Sequence, residues 1–134
     1  MFYKVKYLEK DDEKRILTLE NLIQKHRLLY AIFAKEDGTI LDSFGNRSEL
    51  RYMGVLQEYF GNKERIISTS KYLQGKQLPQ SIIQDNQCCL LTLLDNSIIL
   101  GIFFIDDSDV FVRKKRLKVI HDDILKLEAF TSYS

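Results

Sequence analysis

The chain has 134 residues, 20 of them Lys or Arg and 19 Asp or Glu, so its formal net charge is only +1. This length is typical of one domain with one core, and such balanced charge argues against a nucleic-acid-binding protein. No apolar run approaches the roughly 20 residues of a membrane span, and MFYKVKYLEK lacks the apolar stretch of a signal peptide, so we expect a cytoplasmic protein without membrane insertion.

The first half of the chain predicts a helix followed by a β-hairpin. Residues 11–26 carry acidic side chains at their start and apolar side chains at helical spacing, as expected of an amphipathic helix. The stretch LLYAIFAKEDGTILDSFG then predicts two strands, at 28–35 and 39–44. Asp37-Gly38 between them supplies the positive φ angle that a tight hairpin requires. Residues 1–10 are interpreted as an N-terminal extension and 131–134 as a frayed tail of a single domain spanning 1–134.

A second helix is predicted from Asn46 to about Phe60, because Asn46 and Glu49 have the spacing of a capping box. Its apolar residues cover more than half of the helix circumference, and one core cannot bury them all. The side chains expected to point away from the sheet are Tyr52, Val55 and Tyr59. We interpret them as an exposed patch that buries against a partner; the alternative is that residues 62–79, whose structure the pattern leaves undefined, fold back over them.

The second half of the chain predicts three strands and a closing helix. The strands, at 80–84, 88–94 and 98–105, are joined by links so short that neighbouring strands must be antiparallel. The last helix is expected from about Val110 to Phe130, with the acidic run Asp106-Asp107-Ser108-Asp109 offering N-caps. CCLLTLL and IILGIFFI are apolar at almost every position, so both sheet faces must be covered. The predicted fold is therefore α+β: a five-stranded antiparallel sheet between helices, in the order α-β-β-α-β-β-β-α.

Sequence motifs for catalysis, metal binding or cofactor binding are missing from the chain. Phosphate-binding glycine loops are absent, and His26 and His121 lack metal-ligand spacing. The doublet Cys88-Cys89 is interpreted as buried free thiols. A basic cluster on the last helix is either a solvated face or a contact for an acidic partner; its candidate residues are Arg113, Lys114, Lys115 and Lys118. We predict a non-enzymatic protein without cofactor or metal.

Two motifs, YAIFAKEDGTILDSFG and NQCCLLTLLDNSIILGIFFIDDSD followed by an amphipathic helix, resemble the Roadblock family of small dimerisation domains. The resemblance covers about residues 11–128. It implies a homodimer or heterodimer paired through the second helix and the edge strand 80–84. The interface residues are then expected to be Tyr52, Val55, Leu56, Tyr59 and Ile82.

The same resemblance implies a function in protein interaction. Roadblock proteins typically serve Ras-like small GTPases as activating partners or scaffolds, or act as adaptors on motor and signalling complexes. The alternative is a PAS-like or GAF-like domain that senses a small molecule, because those domains share the mixed helix and antiparallel-sheet organisation. That alternative predicts a closed apolar pocket.

Overall fold

A computed structural model describes residues 21–76, 79–94 and 97–125. Within them the strands and helices follow one another in the order that the sequence predicts, with one additional helix. The strands are β1 (Tyr30–Lys35), β2 (Ile40–Gly45), β3 (Gln80–Gln84), β4 (Gln87–Leu94) and β5 (Ile98–Ile105). The helices are α1, described over residues 21–25, α2 (Gly54–Phe60), α3 (Lys63–Leu73) and α4 (Val110–Leu125), with a 3-10 turn at Arg47–Glu49.

The strands form one antiparallel sheet in the order β2-β1-β5-β4-β3. The two apolar runs of the second half, β4 and β5, pair over eight positions, from Gln87 opposite Ile105 to Leu94 opposite Ile98. β5 is the central strand, because it pairs with β4 on one side and with β1 on the other. The hairpin β1–β2 turns at Gly38, whose φ is +98°, as the Asp-Gly pair predicts.

Side chains on both faces of the sheet are buried, so the three-layer prediction is confirmed. Successive side chains of a strand point to opposite faces, and both Phe103 and Phe104 are fully buried. Phe104 packs on the side of α1 and α4, with Ile120. Phe103 packs on the side of α2 and α3, with Leu56. At about 1.5–3 kcal/mol for each large apolar side chain that is fully buried, these two layers are the main source of stability.

The second predicted helix is wrong in extent. Asn46 caps only the 3-10 turn, where its side-chain oxygen accepts from the Ser48 amide at 3.0 Å. Leu50 then has an extended backbone, with ψ 126°, and helix begins again only at Gly54. The predicted helix 46–60 is therefore a 3-10 turn, a non-helical link at 50–53 and the seven-residue α2.

The segment 62–79, which the sequence pattern left undefined, contains the eleven-residue helix α3. Asn62 caps it, because its side-chain oxygen accepts from the Arg65 amide at 2.8 Å. Residues of α3 at helical spacing are buried against the sheet: Ile66, Thr69, Ser70 and Leu73. Residues 1–20 and 126–134, where the extension, most of the first predicted helix, the end of the last helix and the tail were expected, lie outside the described residues.

Candidate interaction surface

The outer edge of the sheet at β3 is the feature of the described chain best suited to bind another strand. Among the described residues, β3 pairs with β4 and has no strand on its other side. Its sequence, QSIIQ, contains no charge and no proline, and its pairing with β4 has no bulge. Natural edge strands that avoid pairing with other chains usually carry one of these features.

The opposite edge, β2, carries the protection that β3 lacks. Its register with β1 shifts between Phe33 and Ala34, which marks a bulge, and Asp42 places a charge on the strand. Bulges and charges both discourage edge-to-edge pairing. Ile40 is nevertheless 51% exposed there, which makes it a matched reference for the apolar residues of β3.

Apolar side chains lie on both faces of the β3 edge. Ile82 is opposite Cys89, on the α2–α3 face, and is half-buried. Ile83 is opposite Cys88, on the α1–α4 face, and is 42% exposed. Next to β3, Tyr72 of α3 is also largely exposed, and its hydroxyl donates to Gln80 Oε1 at 3.3 Å. We name Ile82, Ile83 and Tyr72 the edge patch.

The interface expected on the second helix is not an exposed patch. Val55 and Leu56 are buried, at 5% and 3% exposure, and belong to the core under α2. α3 packs against α2, where the Thr69 hydroxyl donates to the Tyr59 carbonyl oxygen at 2.9 Å. The prediction of exposure is therefore wrong for Val55. The alternative, in which segment 62–79 folds back over the second helix, describes the structure.

The two predicted tyrosines are partly covered within the same chain. Tyr59 packs against the core beneath α2, and burial raises the pKa of its hydroxyl. Its ring lines an open groove of ≈590 Å³ between α2 and α3, together with Tyr72. Tyr52 is half-buried and its hydroxyl donates to Asp85 Oδ2 at 3.0 Å. Of the five predicted interface residues, Ile82 is the one on the sheet edge.

A buried glutamine fixes the link that interrupts the second helix. Gln87, 3% exposed at the start of β4, accepts from the Arg51 and Tyr52 amides through Oε1, at 2.8 and 3.1 Å. Its Nε2 donates to the Tyr52 carbonyl oxygen at 2.8 Å. These three bonds replace those that a continuous helix would make, and so set where α2 begins. The sequence pattern predicts no role for Gln87, because a single glutamine at a strand boundary has no local signature.

The predicted basic surface of α4 divides into paired and unpaired residues. Arg113 is half-buried, and its Nη2 donates to the Ser108 carbonyl oxygen at 3.2 Å. Lys118 pairs with Asp122 at 3.0 Å, four residues on. Lys114 and Lys115 are exposed and have no ion pair with any described residue. Of the predicted basic residues, Lys114 and Lys115 are thus the two whose charges are available to an acidic partner.

The acidic run before α4 does more than cap the helix. Asp109 is the cap, because its Oδ1 accepts from the Phe111 and Val112 amides at 2.9 and 3.0 Å. Asp106 is instead buried and pairs with Arg116 at 3.0 Å. Burial alone would raise the pKa of Asp106, but hydrogen bonds from Ser108 and Arg116 outweigh it and hold that pKa below its ordinary value.

The cysteine doublet and His26, which were considered for chemistry, lie in packed surroundings. Cys88 and Cys89 are buried free thiols, and burial raises the pKa of both. His26 contacts Asp123, with Nε2 2.8 Å from Oδ2, which ties the end of α1 to α4. Among the described residues, no group of three or more His, Cys, Asp or Glu side chains could hold a metal ion. In the same part of the chain, no helix is both long and apolar enough to cross a membrane.

Solved structures match this chain over 78–96% of its length, whereas no family model and no curated protein matches its sequence. MglB of Myxococcus xanthus aligns with a TM-score of 0.56 at 14% identity, over 96% of both chains. MglB with a tetrameric arrangement gives a TM-score of 0.60 at 11% identity, over 92% of this chain and 90% of that one. MglC of M. xanthus gives 0.51 at 18% identity, over 78% and 91%.

The fold is Roadblock-like. The likeness concerns the fold alone, because the sequence identities to these structures are only 11–18%. It confirms the architecture that the two sequence motifs imply.

Proposed function

We propose that this chain is a non-catalytic interaction module that forms a dimer through the β3 edge. The proposal is supported most by one observation, the contrast between β3, an uncharged edge strand without a bulge, and β2, which has both a charge and a bulge. Two copies pairing antiparallel along β3 would join their sheets into one of ten strands. Each new backbone hydrogen bond contributes about 0.5–1.5 kcal/mol net.

The edge patch adds apolar area to this pairing. A five-residue strand by itself buries little surface, and a stable interface needs about 1,000 Å² or more in total. Ile83 and Tyr72, each more than 40% exposed, lie beside the edge and can supply part of that area. The solved MglB with a tetrameric arrangement is a protein of similar fold that assembles into oligomers.

Light scattering coupled to gel filtration tests the dimer. We expect a mass of twice the 15.8 kDa of one chain, and one chain's mass for Ile83→Lys. Ile40→Lys is the matched control, since it places the same charge at a similarly exposed isoleucine on the other edge, and it should remain dimeric. A monomeric wild-type protein, or dissociation by the control as readily as by Ile83→Lys, would refute pairing through β3.

We further propose that the dimer regulates or scaffolds a Ras-like small GTPase, or a related signalling or motor complex. This part is supported by the Roadblock-like fold and by the two motifs that carry the resemblance. Titration against the small GTPases of the source organism, each loaded with GDP or GTP, is the test. We expect binding that depends on the nucleotide. No binding in either state would refute the GTPase assignment while leaving the dimer intact.

A further inference from the structure

We propose that a basic pocket at the end of α1 binds a phosphate group. The pocket has a volume of ≈550 Å³ and opens where β1 begins and β5 ends. The described residues that line it are Lys25, His26, Arg27, Leu29, Ile105 and Arg116. None of these six is acidic, although Asp106 and Asp123 pair with three of them. Two strands, β5 and β4, separate β1 from β3, so this site is distinct from the edge patch.

Arg27 occupies a backbone position that usually favours glycine. The Arg27 amide donates to the Gln24 carbonyl oxygen and the Leu28 amide to that of Ile23, at 3.2 and 3.0 Å. This pair of bonds is a Schellman motif, whose residue of positive φ is here Arg27, at 54°. A non-glycine residue costs roughly 1 kcal/mol there. The cap geometry therefore gains nothing from arginine over glycine, although the negative end of the α1 dipole favours its charge by about 0.3–1 kcal/mol.

Arg116 provides a fixed guanidinium in the same pocket. It stacks over the Phe104 ring at 4.4 Å and donates to the Ile105 carbonyl oxygen and the Asp106 carboxylate through Nη1. Its Nη2 donates to the His26 carbonyl oxygen at 2.7 Å. A guanidinium has five N–H donors, so two remain for a ligand. Because the group is already held in place, a ligand that uses them orders little further.

The charges around the pocket leave Arg27 unmatched. Lys25 and His26 both contact Asp123, and Arg116 pairs with Asp106. The negative end of the α1 dipole favours basic residues at 25, 26 and 27 alike. Arg27, in contrast, is exposed and has no ion pair with any described residue. An anion bound between Arg27 and Arg116 would supply the missing negative charge.

A phosphate fits this arrangement better than a carboxylate does. A phosphate monoester carries about −1.5 to −2 charges at pH 7 and three acceptor oxygens, and arginine is well suited to it because the planar guanidinium can form two parallel hydrogen bonds. Leu29 and Ile105 give the pocket an apolar side, on which the organic part of an ester can lie. The same phosphate chemistry is found in small soluble esters and in lipid headgroups.

The test is a titration of the full chain with inorganic phosphate and with phenyl phosphate at constant ionic strength, followed by amide NMR shifts. We expect saturable shifts around residues 25–29 and tighter binding of phenyl phosphate. Arg27→Gly should weaken binding by about ten- to a hundredfold, the usual effect of losing a charged hydrogen bond. Glycine suits a positive φ, so this variant should stay folded. Arg47→Ala removes an exposed charge elsewhere and should bind as the wild type does.

Vesicles of phosphatidylcholine, with and without phosphatidic acid, distinguish the two sources of phosphate. If only the vesicles with phosphatidic acid bind the protein, and Arg27→Gly abolishes this binding, the ligand is a lipid headgroup. If the protein binds phenyl phosphate but neither kind of vesicle, the ligand is a soluble ester. Equal phosphate affinity in Arg27→Gly and the wild type, or no saturable binding of either probe, would overturn the proposal. The mass of Arg27→Gly by light scattering should match the wild type, so failure here is separable from failure of the dimer.

Discussion

Replacing Gln87 with leucine should destabilise the fold by freeing the link before α2. The side chain makes three hydrogen bonds to the backbone of residues 51 and 52, and it is 3% exposed. Leucine fills a similar volume without making any of them. Each such bond contributes about 1 kcal/mol net, and an unsatisfied buried group costs about 1–3 kcal/mol.

The expected magnitude follows from how far water can replace the lost bonds. Arg51 is exposed, so its amide can bind water, whereas the amide and carbonyl of the half-buried Tyr52 are less accessible. We therefore expect a loss of about 2–4 kcal/mol in the free energy of unfolding, near the upper part of the range for single substitutions. For a chain of this size that corresponds to roughly 10 °C in Tm.

Urea unfolding followed by circular dichroism measures the loss, and hydrogen exchange locates it. The Arg51 and Tyr52 amides should exchange much faster in Gln87→Leu, while amides of β5 should change only through global unfolding. Gln57→Leu is the control, because Gln57 is an exposed glutamine on α2 itself. A loss below about 1 kcal/mol, or equal losses in the two variants, would refute the view that Gln87 holds this link.

Three further outcomes test the core and the buried ion pair. Gly101→Ala should cost about 1–3 kcal/mol in urea unfolding, because a Cβ there would lie 2.7 Å from Phe60 Cε2, and adding Phe60→Leu should recover part of the loss. Asp106→Asn should cost about 2–3 kcal/mol at pH 7. Folding lowers the pKa of Asp106, so its carboxylate stabilises the fold above about pH 4 and this stabilisation is lost below that pH. If Asp106→Asn is still less stable than the wild type in acid, this reasoning is contradicted. Val55→Asp should abolish the folded circular dichroism spectrum, whereas Ile83→Lys should retain it.

The strands were predictable because their signals are local. Asp37-Gly38 marks the β1–β2 hairpin. β4 and β5 are apolar at nearly every position, so both of their faces must be covered, and the short link between them requires antiparallel pairing. The helix α3 was missed for a related reason. Its buried face includes Thr69 and Ser70, which do not register as apolar in a periodic pattern. Asn62 and the spacing of Ile66 and Leu73 are the signals that could have found it.

The sequence alone determined that neighbouring strands of the second half are antiparallel and that both sheet faces are covered, since each depends on residues close together in the chain. It also placed the N-cap of the last helix within residues 106–109, and the structure assigns that cap to Asp109. Tertiary structure decided which side of the second helix is buried. Gln87 lies about 35 positions from the backbone it holds, and α3 covers side chains that a helical wheel places on the outside. The interaction surface that we propose therefore keeps the β3 edge and leaves out α2, because exposure depends on what packs from elsewhere in the chain.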